Sequence, residues 1–349
     1  MIPTLVISAT SFLGITLSIL LFPHIKIKRA VLDTYWIIAL VVALILLCFS
    51  FVPFNEVAKE LTSDSDINPH KILALFFSMT TISIYLDEVG LFRFLASIAI
   101  KRAKSSQHIL FFILYVLTSI LTVFTSNDVV ILTLTPFICF FCKNAKINPL
   151  PYLIAEFAAA NTWSMMFVIG NPTNIYLATS AHITFIEYFK VMWLPTLGAG
   201  LVQLLLIFLI FYKKLKEPIT IEEDNFEIES KLDLIVGLIV LLSVLICLVI
   251  SNYINVQMWL IACVGAVTLL LFSLITRLVT KRGWHYMTGS VKRLPYQLIP
   301  FILSMFVIVA ALKYQGISTQ ISNLLNKEPV IWIYGSSSFL FSNIINNFR

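Results

Sequence analysis

The chain has 349 residues, of which 59% are apolar and 12% charged, with a net charge of +6. Soluble globular chains carry about 25% charged residues, so the composition excludes a soluble enzyme or binding domain and places most of the mass in lipid. The positive balance is not a nucleic-acid signal, because the basic residues sit in short loops between apolar runs, where they set membrane topology.

The first apolar run, 2–22, has no basic residue before it and is followed by Lys26, Lys28 and Arg29. A cleavable signal peptide has the opposite order, so the run is expected to stay as a first helix with its N-terminus outside. Further spanning candidates are 35–54 and 72–90, each near the ~20 residues that cross ~30 Å of hydrocarbon. After Gly90 the sequence keeps its apolar spacing but gains Arg93, Lys101 and Arg102. That pattern predicts a helix turning to lie along the cytoplasmic interface. Asp87 and Glu88, at this turn, read as interface residues or ion-pair partners, with Arg93 a turn away.

The next two apolar segments are interrupted. Thr125-Ser126-Asn127-Asp128 breaks 109–142, and Gly170-Asn171-Pro172-Thr173-Asn174 breaks 150–179. Lipid offers an opened backbone no hydrogen-bond partner, so such breaks persist only inside protein or around a polar cavity. In transporters they point to the substrate site. The arms of 109–142 are about 16 and 14 residues, or roughly 21–24 Å at about 1.5 Å per residue. They are short for full spans, which predicts a re-entrant hairpin. Then follow a span at 188–212, an acidic cytoplasmic linker at 215–231, and spans at 232–250, 257–279 and 295–312.

Seventeen Lys and Arg residues, from Lys26 to Arg293, fall in loops on one side. Five fall on the other (Lys59, Lys71, Lys190, Lys313 and Lys327). The first side is therefore cytoplasmic, and the cell (inner) membrane is the expected location. The five cysteines form no disulfide framework; Cys139 and Cys142 make a C-x-x-C with no second Cys or His pair beside it. The five histidines are scattered and show no metal spacing, and no metal or other cofactor is expected.

The segments 78–91 and 304–317 align at one offset. Ser78-Met79 matches Ser304-Met305, Leu86 matches Leu312 and Gly90 matches Gly316. Each is the third helix of its half, and each half continues to an apolar arm ending in Asn, at Asn127 and at Asn346-Asn347. The predicted fold is thus an all-α polytopic membrane protein built as an inverted repeat. Residues 1–214 form the first repeat and 232–349 an incomplete second one, as in a C-terminally truncated chain.

These residues carry a resemblance. Ser126-Asn127-Asp128 with Pro136, Ala160-Asn161-Thr162-Trp163-Ser164, and Gly170-Asn171-Pro172-Thr173-Asn174 resemble the ion transporter superfamily, and within it the arsenite permease and sodium–proton antiporter D branch with its citrate-transporter-like domain. The tail Ser342-Asn343-Ile344-Ile345-Asn346-Asn347 looks like the start of the second hairpin motif. That family usually has a proline two residues after the second asparagine, and Phe348-Arg349 departs from this. The resemblance implies paired hairpins and paired broken helices around a midplane site, with an elevator-type or rocking motion.

Ser126 and Asn127 precede an apolar run, where a helix N-cap is expected, and Asn171 then Pro172 repeats that logic. Both half-helices would present free N–H groups and positive dipole ends. Asn161, Thr173 and Asn174 add neutral ligands, Gly170 adds a carbonyl, and Asn346 and Asn347 would complete the site. The alternative is that these residues only cap kinks. Asp128, a carboxylate at mid-membrane, is a functional residue by default. It repels a dianion but holds a proton or Na⁺. Glu156 is a second coupling candidate, or else a residue near the headgroups.

The expected function is secondary transport coupled to H⁺ or Na⁺, with efflux of an arsenite- or antimonite-like solute or inorganic ion. Na⁺/H⁺ antiport and dicarboxylate or citrate transport are the alternatives. An inactive truncated membrane protein is an alternative of another class. A membrane enzyme using Asp128 is disfavoured, since no nucleophile–base pair or metal cluster accompanies it. The partners expected are a small solute or ion and the lipid bilayer, with a homodimer and a separate ATPase subunit both open. The chain has no ATP-binding motif of its own.

Overall fold

A computed structural model describes residues 2–22, 24–27, 30–62, 68–103, 106–216, 228, 230–280, 284–325 and 332–338. Those residues are almost entirely helical. The exception among them is a ribbon, β1 (His24–Ile27) against β2 (Ala30–Asp33), antiparallel with His24 opposite Asp33. The chain divides into two compact units, one of residues 1–70 and 295–349, the other of residues 71–294.

In the first unit, α2 (Thr34–Cys48) packs between α1 (Ile2–Leu21) and α14 (Leu298–Tyr314), and α3 (Phe54–Thr62) closes one end. Ala43, Leu46, Val57, Ile308 and Ala311 form its core. The expected spans 35–54 and 295–312 are shortened here to helices of 15 and 17 residues. The first ends at Cys48 because Ser50, just past the C-cap Phe49, takes a left-handed φ of 54° that does not continue a helix. The second starts only at Leu298, because residues 295–297 are spent on a turn after Pro295.

The second unit holds the interrupted segments. Its elements are α4 (Pro69–Glu88), α5 (Leu91–Ala103), α6 (Gln107–Phe124), α7 (Asn127–Asn144), α8 (Leu150–Trp163), a 3₁₀ turn Val168–Gly170, α9 (Pro172–Ser180), α10 (Phe185–Phe211), α11 (Lys231–Val249), α12 (Met258–Thr280) and α13 (His285–Lys292). Among the described residues, α6, α10, α11 and α12 are each long and apolar enough to cross a membrane. The pair α4–α5, bent by 55°, makes a fifth candidate. The molecule is an all-α polytopic membrane protein. The arms of 109–142 are 18 residues each, longer than expected, because the helices run on past the apolar stretch to Gln107 and Asn144. The helix expected along the interface is α5, and it buries Phe92, Ala96, Ala99 and Ile100 in one core with α6, α7 and α8.

Small residues let these helices approach closely, as lipid supplies no hydrophobic drive between them. A Cβ at Gly200 of α10 would lie 2.6 Å from the Trp163 ring. One at Gly265 of α12 would lie 2.2 Å from Val244 of α11. Gly200→Val is therefore expected to displace Trp163, whose Nε1–H donates to Tyr115 at 3.3 Å. Overpacking of this kind costs about 1–3 kcal/mol, so the variant's unfolding midpoint in detergent should fall. An unchanged midpoint would show that α8 and α10 part without cost.

The aligned segments 78–91 and 304–317 end alike. α4 stops at Glu88 and α14 at Tyr314; Gly90 and Gly316 have φ of 95° and 72°; α5 begins at Leu91 and α15 (Ile317–Leu325) at Ile317. Each pair of positions is separated by the same offset as Gly90 and Gly316. In both segments the glycine allows the left-handed φ that closes the helix.

Candidate functional site: two helix breaks joined through one helix end

The two breaks meet at the C-terminal turn of α8. At the first, the amide of Asn127 donates toward Asn161 Oδ1 at 3.5 Å, and Asn161 itself donates to Phe157 O at 2.8 Å. Ser164 Oγ donates to Asn161 O at 2.9 Å. At the second break, Asn174 donates from its amide to Ser164 O at 2.8 Å and Phe167 O at 3.1 Å. The result is one polar chain, Asn127, Asn161, Ser164, Asn174. Those hydrogen bonds satisfy carbonyls that the end of α8 would otherwise leave open.

Gly170 belongs to the same knot. A Cβ there would lie 2.0 Å from Ser164 O, so only glycine lets the 3₁₀ turn press against that carbonyl. Asn171 caps α9, accepting from Thr173 N at 2.8 Å and from the Thr173 hydroxyl, with Pro172 at the first helical position. That is the local order the Asn-Pro pair predicts. Ser126 departs from its expected role. It occupies the N-cap position of α7, but its hydroxyl makes no cap bond; it is 2% exposed and without a partner among the described residues. The hydroxyls of Thr122 and Thr118, about one and two turns back toward α6, are buried and without a partner among the described residues as well.

The structure does not bring every predicted residue to this point. Asp128 stands half-buried in the first turn of α7. Glu156 lies away from the breaks. It is 2% exposed and takes hydrogen bonds from Thr135 Oγ1 to both carboxylate oxygens, at 3.1 and 3.0 Å. Asn346 and Asn347 lie outside the described residues.

Two charged groups escaped the sequence reading, which took Arg277 and Arg293 only as topology markers. Arg277 and Asp233 form a pair at 3.4 Å, both side chains 1% exposed. Tyr85 donates to Asp233 at 2.8 Å, and the Arg277 guanidinium lies over the Tyr286 ring at 4.4 Å. Arg293, at the end of α13, reaches Asp87 at 2.6 Å and Glu88 at 2.8 Å. Burial opposes the Arg293 charge, yet these two carboxylates hold its pKa above the ordinary guanidinium value. Sequence could flag the acids at Asp87-Glu88, but their partner is two hundred residues away.

A family model described as "Citrate transporter" (CitMHS) matches residues 30–348. An arsenical pump membrane protein of Escherichia coli is 27% identical over 293 residues, 78% of this chain and 65% of that protein. One from Yersinia enterocolitica is 27% identical over 267 residues, 72% of this chain and 59% of its own length. A transporter of Mycobacterium tuberculosis, uncharacterized by name, is 26% identical over 263 residues, 72% and 58% of the two chains. The chain thus spans less than two thirds of the length of the relatives it matches.

Proposed function

The chain belongs to the citrate transporter family of membrane transport proteins, and we propose that it is a secondary transporter that exports an arsenite- or antimonite-like solute, driven by a proton or Na⁺ gradient. The observation that carries the reading is the polar chain from Asn127 through Asn161 and Ser164 to Asn174. It knots two interrupted segments together where neutral donors and acceptors gather, which is how transporters build a midplane site.

The chemistry of the lining favours a neutral solute over citrate. Neither 109–142 nor 150–180 contains a Lys, Arg or His. A carboxylate, Asp128, sits in the first turn after the break. That carboxylate would repel a polyanion. A small trihydroxide needs only hydrogen bonds, and a proton or Na⁺ needs the carboxylate. The unpartnered hydroxyls of Thr118, Thr122 and Ser126 are suited to such a solute. The Lys and Arg bias supports placement in the inner membrane with the N-terminus outside. A second copy and a separate ATPase subunit belong to the same proposal and are tested by co-purification.

Everted membrane vesicles from cells lacking their own arsenite efflux provide the test. With an imposed pH or Na⁺ gradient, vesicles containing the protein should accumulate arsenite or antimonite, and collapsing the gradient should stop it. Accumulation of citrate in place of arsenite would reject the export reading and favour anion transport. Gradient-driven Na⁺ movement with no solute would favour Na⁺/H⁺ antiport.

A further inference from the structure

α4 ends in an electrostatically unfavourable way. Asp87 and Glu88 are its last two residues, and a helix C-terminus already carries partial negative charge. Asp87 is buried, 4% exposed, and its Oδ1 has no partner among the described residues. Two acids at such a position persist only with a strong counter-charge, and Arg293 supplies it, bonding Asp87 at 2.6 Å and Glu88 at 2.8 Å.

The same contact reaches α7. Thr133 Oγ1 donates to Asp87 Oδ2 at 2.7 Å, and Arg293 Nη2 lies 3.4 Å from the Thr133 oxygen. Thr133 is fewer than two turns along α7 from Asn127. A hydroxyl, two acids and one guanidinium thus tie the end of α4, the middle of α7 and the end of α13 into one knot. α13 is shaped for it: a Cβ at Gly289 would lie 2.4 Å from Glu88 Cδ, so the absent side chain leaves the space that the Glu88 carboxylate fills. Arg293 is also the second-last residue of its unit, next to the point where the chain passes on at Pro295.

We propose that Arg293 is a positioning residue for the arm α7: by holding Asp87 it fixes Thr133, and through Thr133 it sets the place of Asn127 and Asp128. This rests on reading the break before α7 as the solute site. Loss of the guanidinium removes the charge bonded to Asp87 and leaves it the longer-range field of Arg93, and loss of the Thr133 hydroxyl cuts the link to α7 while leaving the Asp87–Arg293 pair intact.

Hydrogen exchange of the full chain in detergent or nanodiscs, read by mass spectrometry, tests the clamp. Thr133→Val is nearly isosteric and neutral, so it keeps the test usable where Arg293→Gln lowers the yield of folded protein. Both are expected to raise exchange over 127–133 at least tenfold, with α11 and α12 unchanged. Thr133→Ser should restore the native rate, and the double variant should exchange no faster than the faster single one, since both act through one bond. Gradient-driven solute flux should fall severalfold in each single variant. Unchanged exchange over 127–133 in Thr133→Val, multiplied effects in the double variant, or raised exchange with native flux would each overturn the proposal. Failure of the solute-site reading shows separately, as native flux in an Asp128 variant whose exchange pattern is native.

Discussion

Asp128→Asn is expected to abolish the dependence of transport on the driving gradient while leaving the helices assembled. Coupling free energies of about 1–3 kcal/mol correspond to roughly 5–150-fold, and the variant should lose an effect of that size. The residue stands in the first turn of α7, one position after Asn127, half-buried beside the break. A carboxylate placed within a membrane is costly and is a candidate for ion or proton work. Asparagine preserves its shape and its ability to accept from first-turn N–H groups, so the fold should be unaffected. What is lost is the charge that binds a proton or Na⁺. Glu156→Gln is the comparison. Glu156 is buried against Thr135, and among the described residues no Lys, Arg or His pairs with it. Solute flux measured with and without a pH or Na⁺ gradient separates the two. If gradient dependence survives in Asp128→Asn and vanishes in Glu156→Gln, Glu156 is the carrier and Asp128 serves only the start of α7.

The second large effect is expected from Gly170→Ala. One methyl would sit 2.0 Å from Ser164 O, a backbone atom fixed at the end of α8. Overpacking costs about 1–3 kcal/mol and occasionally more. Here relief of the clash would also pull Ser164 O away from the Asn174 amide, now 2.8 Å distant. A buried polar group left without its partner costs about 1–3 kcal/mol further. The sum, roughly 2–6 kcal/mol, is comparable with the whole stability of many domains. The variant should therefore show a lower unfolding midpoint, and what folds should carry little solute. Asn174→Ala removes the same hydrogen bonds without the clash and should show part of the loss. Native stability and flux in Gly170→Ala would mean that the 3₁₀ turn Val168–Gly170 rearranges freely and that the two breaks are not knotted through Ser164.

What the sequence determined by itself is local or statistical. The apolar runs placed α1, α4, α10, α11 and α12 within a few residues, because burial in lipid needs only length and hydrophobicity. The breaks at Thr125-Ser126 and at Gly170-Asn171 were legible because capping residues, Gly and Pro act on their own neighbours. The aligned glycines at 90 and 316 carry the same left-handed φ for the same local reason.

Tertiary structure decided the rest. Ser126 reads as a cap, yet its hydroxyl is buried and makes no cap bond, and the Asn127 amide turns to Asn161 across thirty-four residues. The sequence assigns Ser164 no role of its own, yet its carbonyl packs against Gly170 and accepts from Asn174. Arg277 and Arg293 counted as loop charges, and each is bound to an acid far away in the chain. The physical reason is one of range. Helix length, caps and breaks depend on contacts within a few residues. The partner of a buried charge or amide depends on which helices pack side by side, and no spacing along the chain encodes that.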